Sequence, residues 1–310
     1  MGGRILTIAL NTYREAARAW VIVSMLIAAI AWNAYTVVVA AMSLHNEVRV
    51  VADLGAASMS LFAVAVAIVQ GSTSLHRELQ LKTVFPILSR PIRRWEYVVG
   101  KYLGMLLTVL VFVAIDAGSV FATLGLEAGQ LPWRVGAVVL LMGAVLAAMH
   151  VRARLSRVFV IIPWALAFAL ALWLEAGPAG EDRQLVTAAA VLTVCEVAIV
   201  AGVAMLFASF SSPGLTATFT TLLFLIGRSA DTLAHLPRKM FGSAFADVGK
   251  AIARVVPNLH VYVPARPLLL GQLPDQPTWS YVIVAALHAA LYAAGLLVAS
   301  ALVFRKRDFA

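Results

Sequence analysis

The chain has 310 residues, of which 62% are hydrophobic and only 13% charged, and its formal net charge is +9 at pH 7. A soluble protein is about 45–50% apolar and needs polar residues to cover its surface, so this composition excludes an ordinary soluble domain and indicates a membrane protein. The positive charge fits loops that face anionic lipid, whereas nucleic-acid binding is disfavoured because no basic stretch carries interleaved aromatic residues on a soluble scaffold.

The N-terminal segment RILTIALNTYREAARAW has polar residues at every third or fourth position, with Ile5, Leu6, Leu10 and Tyr13 between them. That spacing predicts an amphipathic helix over residues 2–19 that lies in the membrane interface. The alternative is a plain cytoplasmic extension of the first membrane span.

Eight apolar stretches follow, each a candidate for a helix that crosses the membrane, since a crossing needs about 20 apolar residues. The sequence therefore predicts an all-α, polytopic membrane protein that forms a single transmembrane domain over residues 1–310. The predicted spans are Trp20–Ala41, Ala56–Gly71, Tyr97–Thr123, Val135–His150, Val158–Leu174, Gln184–Ser209, Leu215–Leu233 and Trp279–Phe304.

The distribution of Lys and Arg predicts the orientation of these spans. With the N-terminus and C-terminus in the cytoplasm, the cytoplasmic segments carry 14 basic residues, whereas the short outer loops carry only Arg49, Arg134 and Arg183. This bias follows the positive-inside rule. Residues 234–278 then form a long extracytoplasmic loop, which does not count against the orientation because long loops cross largely regardless of charge.

The stretch LSRPIRRWEYVVGK holds an unusual share of the charge, and its Gly100-Lys101 pair is not a phosphate-binding loop. Such a loop needs a glycine where Trp95 stands and a Ser or Thr where Tyr102 stands. Residues 72–96 instead combine apolar residues with surrounding charges and two prolines, which suits a docking site for a soluble partner. The alternative is a loop that only holds the positive charges of the cytoplasmic side.

The same stretch resembles the segment after the second span of ABC-2 type exporter permeases. Other segments resemble the family too, namely ILTIALNTYREAAR, FASFSSPGLTAT, VVPNLHVY and the terminal VFRKRDF. Most members have six spans, so the extra pair is expected between Pro132 and Arg183. The residues that match the family pattern after the second span are Glu78, Thr83, Leu88, Ser89, Pro91, Arg94, Gly100 and Lys101.

The resemblance implies a permease in the cell (inner) membrane that has no ATPase of its own. It implies two partners besides membrane lipid: a separate ATP-binding subunit, and a second permease subunit that completes a homo- or heterodimer. It also implies that residues 72–96 contain a coupling helix that receives the ATP-binding subunit. The candidate coupling residues are Glu78, Leu79, Thr83, Arg90, Arg93 and Arg94.

Three ionisable residues fall inside predicted spans: Asp116, Glu196 and Arg228. A charged group at the centre of a bilayer costs about 2.5–3.5 kcal/mol on insertion scales, so each needs a partner or a water-filled cavity. One hypothesis is pairing between helices, with Arg228 neutralising Asp116 or Glu196. The others are a polar translocation path and carboxyl groups that stay neutral.

Two other functional classes remain open from the sequence: an intramembrane lipid-modifying enzyme, and an ion-coupled secondary transporter that uses Asp116 and Glu196. The enzyme would turn over substrate by itself, and the secondary transporter would work without ATP. The six histidines are isolated and no H-E-x-x-H motif occurs, so the sequence predicts neither a metal site nor a cofactor. The single Cys195 excludes an intramolecular disulfide.

Overall fold

A computed structural model describes residues 2–80, 93–152, 158–237, 242–273 and 277–305, and within these ranges every regular element is helical. The prediction of an all-α membrane protein is confirmed. Short 3-10 helices lie at Gly177–Ala179 and Leu259–Tyr262. The α-helices are α1 (Gly2–Ala16), α2 (Trp20–Ala40), α3 (Glu47–Gln80), α4 (Arg94–Glu127), α5 (Pro132–Arg152), α6 (Ile161–Glu175), α7 (Glu181–Ala208), α8 (Pro213–Arg228), α9 (Ala230–Ala234), α10 (Ser243–Val255), α11 (Arg266–Leu269) and α12 (Thr278–Arg305).

Among the described residues, six helices are long and apolar enough to cross a membrane: α2, α3, α4, α5, α7 and α12. The other two predicted spans correspond to α6, with 15 residues, and α8, with 16 residues. At 1.5 Å per residue these two helices are about 22–24 Å long, shorter than the hydrocarbon core of about 30 Å. Six of the eight predicted spans therefore have a helix of sufficient length, and the count of eight stays a prediction.

The centre of the bundle is formed by α4 and α7. Helix α7 packs against α3, α4, α8 and α12, and helix α4 packs against α1, α2, α3 and α6. Leu192 and Ile199 of α7 and Val120 of α4 are fully buried. By contrast, Val135 is the one described residue of α5 that is buried, so the rest of the described chain leaves most of the apolar surface of α5 uncovered.

Helix α3 is longer than the predicted second span because it begins at Glu47 and continues without a break through Gln80. No proline interrupts it, and the Ser72 and Thr73 hydroxyls bond to the carbonyl oxygen of Val69 inside the helix. Leu75 and Leu79, whose spacing fits a short coupling helix, lie on this continuation. The remainder of the predicted coupling segment, residues 81–92, lies outside the described residues.

Helix α1 is attached to the bundle through two glycines of α4, one turn apart. A Cβ atom added to Gly104 would lie 2.5 Å from the carbonyl oxygen of Ala9, and one added to Gly100 would lie 2.7 Å from Cβ of Ile8. Only glycine permits this approach of two helices. The Tyr13 hydroxyl also donates to the carbonyl oxygen of Val158 at 3.2 Å, and burial raises the pKa of Tyr13 to about 12.

Of the long segment 234–278, predicted to lie outside the membrane, the structure describes residues 234–237, 242–273 and 277–278, and the part around the 3-10 helix Leu259–Tyr262 and α11 packs onto the bundle. Helices α9 and α10 pack against each other, and the 3-10 helix Leu259–Tyr262 contacts α7 and α8. Leu259, Tyr262 and Leu268 are buried in these contacts. This segment therefore closes the end of the bundle at which α3 and α7 begin.

Candidate functional site

Glu196 and Arg228 form an ion pair in the interior of the bundle. Nη1 of Arg228 donates to Oε1 of Glu196 at 2.6 Å, and the Glu196 side chain is fully buried. Arg228 is the last residue of α8, where a cation also interacts favourably with the helix dipole. The cost of burying the Glu196 carboxylate is thus offset by a guanidinium from another helix.

Ser60 of α3 completes this group. Its hydroxyl donates to Oε2 of Glu196 at 2.8 Å, and its oxygen accepts a bond from Nη1 of Arg228 at 3.0 Å. Both carboxylate oxygens of Glu196 therefore have a donor. We call Ser60, Glu196 and Arg228 the arginine cluster; it joins α3, α7 and α8 in the middle of the bundle.

A cavity of about 150 Å³ reaches the arginine cluster from the end of the bundle where α3 and α7 begin, and Ser60, Arg228 and Tyr262 are among its lining residues. Burial raises the pKa of Tyr262 above its ordinary value, so its hydroxyl stays protonated. The hydroxyl lies 2.8 Å from Nδ1 of His288 in α12. The walls are therefore polar at the arginine cluster and at Tyr262. We call this space the outer cavity.

Arg266 stands at the rim of the outer cavity and connects three elements. Its guanidinium, in α11, donates to Asp53 near the start of α3 and to Asp182 near the start of α7. The Arg266 side chain is only 17% exposed. These ion pairs hold the segment that follows the 3-10 helix against the beginning of α3 and of α7.

Asp116 lies elsewhere in the bundle and does not contact Arg228. Its Oδ1 accepts a bond from Nδ2 of Asn33 at 2.6 Å, while Oδ2 has no hydrogen-bond partner among the described residues. Asn33 also donates to Ser119 at 2.6 Å, and Oδ1 of Asn33 accepts a bond from the Ser58 hydroxyl at 3.1 Å. We call these four residues the asparagine cluster; it joins α2, α3 and α4, and no cation of the described part of the chain forms an ion pair with Asp116.

A third polar group lies at the opposite end of the bundle, where α4 begins. Lys101 is almost completely buried, its Nζ donates to Oγ of Ser74 at 3.2 Å, and it lies 3.9 Å from Oε2 of Glu15. Lys101 therefore links α4 to the late turns of α3 and to α1. We call Glu15, Ser74 and Lys101 the lysine cluster.

Comparison with known families agrees with this architecture. The family model described as "ABC-2 family transporter protein" matches residues 11–309. The chain belongs to this family. A comparison with curated proteins gives no match.

The chain is therefore a multi-pass permease of an ABC-type transporter. Permeases of this family are membrane components of transporters rather than enzymes, and they normally work with an ATP-binding subunit. In the described part of the permease, no group of three or more His, Cys, Asp or Glu side chains could hold a metal ion.

The structure locates only part of the predicted coupling residues of the permease. Glu78 and Leu79 lie on the last turns of α3, whereas Thr83 and Arg90 fall outside the described residues. Arg93 precedes α4 and Arg94 begins it. The backbone N–H of Arg93 donates to Oε2 of Glu96 at 3.1 Å, which caps the start of α4. Their role in coupling stays a prediction.

The sequence analysis missed several polar residues that the permease uses inside the bundle. Asn33 could have been noticed, because it is the only amide in the apolar run WVIVSMLIAAIAWNAYTVVVA. Ser58 and Ser60 gave no such signal, since serine is common in membrane helices and often bonds only to its own helix. Arg266 and Asp53 are 213 residues apart, and no local pattern predicts their contact.

Proposed function

We propose that the chain is the permease of an ABC exporter, and that it works as a dimer with an ATP-binding subunit docked on residues 72–96. The observation that carries the proposal is the match to ABC-2 family transporter proteins over residues 11–309. The transported substrate would cross between the two permease subunits, driven by ATP hydrolysis in the partner. The coupling residues would be Glu78, Leu79, Thr83, Arg90, Arg93 and Arg94.

The proposed topology has eight spans, with both termini in the cytoplasm of a cell whose inner membrane holds the protein. It is supported by the 14 basic residues of the segments assigned to the cytoplasm, against three in the short outer loops. In this topology the lysine cluster and residues 72–96 face the cytoplasm. The outer cavity and Arg266 face the opposite side.

Contacts around the ends of the coupling segment support its role in transmitting motion. The segment connects α3 to α4, and Lys101 of α4 is hydrogen-bonded to Ser74 of α3 at 3.2 Å. Helix α1 is fixed to the first turns of α4 through Gly100 and Gly104. A force applied to residues 72–96 would therefore move α1, α3 and α4 together.

In the transport cycle, the ion pair of the arginine cluster would hold α7 and α8 together and so close the inner end of the outer cavity. This ion pair neutralises Glu196 in the interior, and Arg228 is also part of the cavity wall. We thus favour pairing as the resting state of Glu196 and Arg228.

The test is to express the permease with its candidate ATP-binding subunit and to measure copurification and substrate-independent ATP hydrolysis in lipid nanodiscs. Glu78→Lys and Leu79→Asp should reduce the copurified subunit several-fold while leaving the permease inserted, because a reversed charge and a lost apolar anchor both weaken a docking surface. Glu47→Lys, the same charge reversal at the other end of α3, is the matched control and should retain the subunit.

Normal copurification and ATP hydrolysis in both coupling variants would mean that residues 72–96 only hold the topology. Absence of any ATP-binding partner, together with transport driven by an ion gradient, would instead favour the secondary transporter.

A further inference from the structure

A groove lies between the first turns of α4 and the last turns of α12. Its volume is about 710 Å³, and its lining includes Arg93, Trp95 and Val99 on one side and Val298 and Leu302 on the other. We call it the end groove, because it lies at the end of the bundle where α4 begins and α12 ends. It combines a cationic, an aromatic and an aliphatic surface.

The residues that α12 contributes to the end groove are all aliphatic. Val298 and Leu302 lie four residues apart, so they share one face of the helix, and 61% and 57% of their surfaces are exposed. Ala289 and Ala293, nine residues earlier in each case, are buried on the opposite face, and α12 packs against α7. Both exposed residues belong to the part of α12 that is apolar enough to cross a membrane, Thr278–Val303. The occupant of this wall must therefore be compatible with hydrocarbon.

The side of α4 contributes positive charge. Arg93 is exposed and directly precedes α4, and its backbone N–H is bonded to the side chain of Glu96. Glu96 is buried and does not line the groove, and neither does any other acidic residue of the described chain. Arg94 lines it as well but takes part in a further interaction of the chain, so the charge offered to a ligand is mainly that of Arg93.

Trp95 marks the level of the groove at which the charged and the apolar surfaces meet. Its side chain is 39% exposed and lies between Arg93 and Val99 along the chain. Exposed indole groups are favoured where a membrane meets water, since the ring is apolar and its N–H can donate a hydrogen bond. A guanidinium beside such an indole suits a phosphate in the headgroup layer.

We propose that the end groove binds an anionic phospholipid. The phosphate lies against Arg93, the glycerol lies at the level of Trp95, and an acyl chain follows Val298 and Leu302. Arg93 is also a candidate coupling residue, so this lipid would lie beside the surface proposed for the ATP-binding subunit. That relation and the assignment to the cytoplasmic leaflet rest on the proposed function, whereas the binding does not, because the permease alone forms the groove.

The surfaces of the groove distinguish this ligand from others. A free phosphate would leave the aliphatic wall uncovered. A zwitterionic phospholipid would bring its ammonium close to the Arg93 guanidinium, where like charges repel. A soluble protein segment could reach Arg93 but not Val298 and Leu302, which belong to a membrane-spanning helix.

The experiment is native mass spectrometry of the purified, delipidated full-length permease, titrated with dioleoyl phosphatidylglycerol or with dioleoyl phosphatidylcholine. The wild type should prefer phosphatidylglycerol. Arg93→Gln should weaken phosphatidylglycerol binding by about fivefold, since a basic residue near the surface contributes about 1 kcal/mol to the attraction of anionic lipid. Phosphatidylcholine binding should stay the same in this variant, so that the preference is lost.

Matched variants separate the groove from the rest of the surface. Arg152→Gln removes the same charge from an exposed arginine at the end of α5, which does not line the groove, and it should leave both affinities unchanged. Ala301→Phe fills the groove without altering charge and should weaken both lipids. Ala290→Phe makes the same change at an exposed residue of α12 about three turns away and should weaken neither.

Four results would overturn the proposal. The first is an unchanged preference for phosphatidylglycerol in Arg93→Gln, and the second is a loss in Arg152→Gln as large as in Arg93→Gln. The third is competition by inorganic phosphate at the same concentration as the lipid. The fourth is normal binding of both lipids in Ala301→Phe, as expected if a second permease subunit covers the groove. Since no ATP-binding subunit is present in this measurement, its failure leaves the proposed transport function untouched.

Discussion

Glu196 and Asp116 are both fully buried carboxyl groups of the same helical bundle, yet the structure treats them differently. Glu196 has a guanidinium at 2.6 Å and a serine donor, whereas Asp116 has a 2.6 Å bond from the neutral amide of Asn33. The difference arises because α8 ends beside Glu196 and brings Arg228 there, while α2 brings only Asn33 to Asp116. The arginine cluster therefore contains a cation that pairs with its carboxyl group, whereas in the asparagine cluster the partners are the uncharged side chains of asparagine and serine.

The largest effect is expected when the cation is removed from the arginine cluster. Arg228→Leu would leave the Glu196 carboxylate buried and unpaired, at a cost of at most about 3–5 kcal/mol in the free energy of unfolding, and less if lipid or water relaxes around it. The measurement is unfolding by SDS in mixed micelles, together with the yield of folded permease.

The double variant Arg228→Leu/Glu196→Gln should recover most of this loss, because the amide carries no charge. Arg228→Leu/Asp116→Asn is the matched control and should recover none, since Asp116 does not contact Arg228. Equal recovery in the two double variants would contradict the assignment of Arg228 to Glu196.

A smaller effect is expected from substitution of two serines of α3, one in each cluster. Ser60→Ala removes a bond to the charged Glu196 and should cost about 1.5–3 kcal/mol, whereas Ser58→Ala removes a bond to the neutral Asn33 and should cost about 0.5–1.5 kcal/mol. The same SDS unfolding measurement compares them. A cost for Ser58→Ala as large as that for Ser60→Ala would show that charge does not distinguish the two clusters.

The smallest effect is expected for Asp116→Asn. The new amide keeps an oxygen that accepts from Asn33, and no cation loses a partner, so the free energy of unfolding should change by less than about 1 kcal/mol. Glu196→Gln is the control and should cost more, because it leaves Arg228 without its carboxylate. A larger loss in Asp116→Asn than in Glu196→Gln would reverse the comparison.

Several features of the permease could be predicted from the sequence because they depend on local composition. The apolar runs that begin near Trp20, Tyr97 and Gln184 predicted helices α2, α4 and α7 to within a few residues at each end. The family was indicated by short motifs such as FASFSSPGLTAT, whose order along the chain carries the signal. Asp116, Glu196 and Arg228 were recognisable as sites because an ionisable group in an apolar run always needs an explanation.

Other features could not be predicted because they depend on contacts between distant segments. The sequence alone left open whether Arg228 faces Asp116 or Glu196, since both carboxylates lie in predicted spans. The seventh predicted span, Leu215–Leu233, extends beyond helix α8, which ends at Arg228. At this end the Arg228 guanidinium contacts Glu196, and Gly227 lies against the carbonyl oxygen of Pro257. Both partners are distant in the sequence, so no local pattern predicted where the helix ends.

By itself the sequence determined that this is a helical membrane protein that resembles ABC-2 permeases. These features could be read from the sequence because hydropathy and short motifs are properties of neighbouring residues. Only the tertiary structure decided which helix ends meet. Gly100 and Gly104 gave no sign that they hold α1, and Lys101 gave no sign that it links α1, α3 and α4. Each of these roles exists only where a side chain, or the lack of one, meets a segment far away in the chain, and the packing of the bundle sets those meetings.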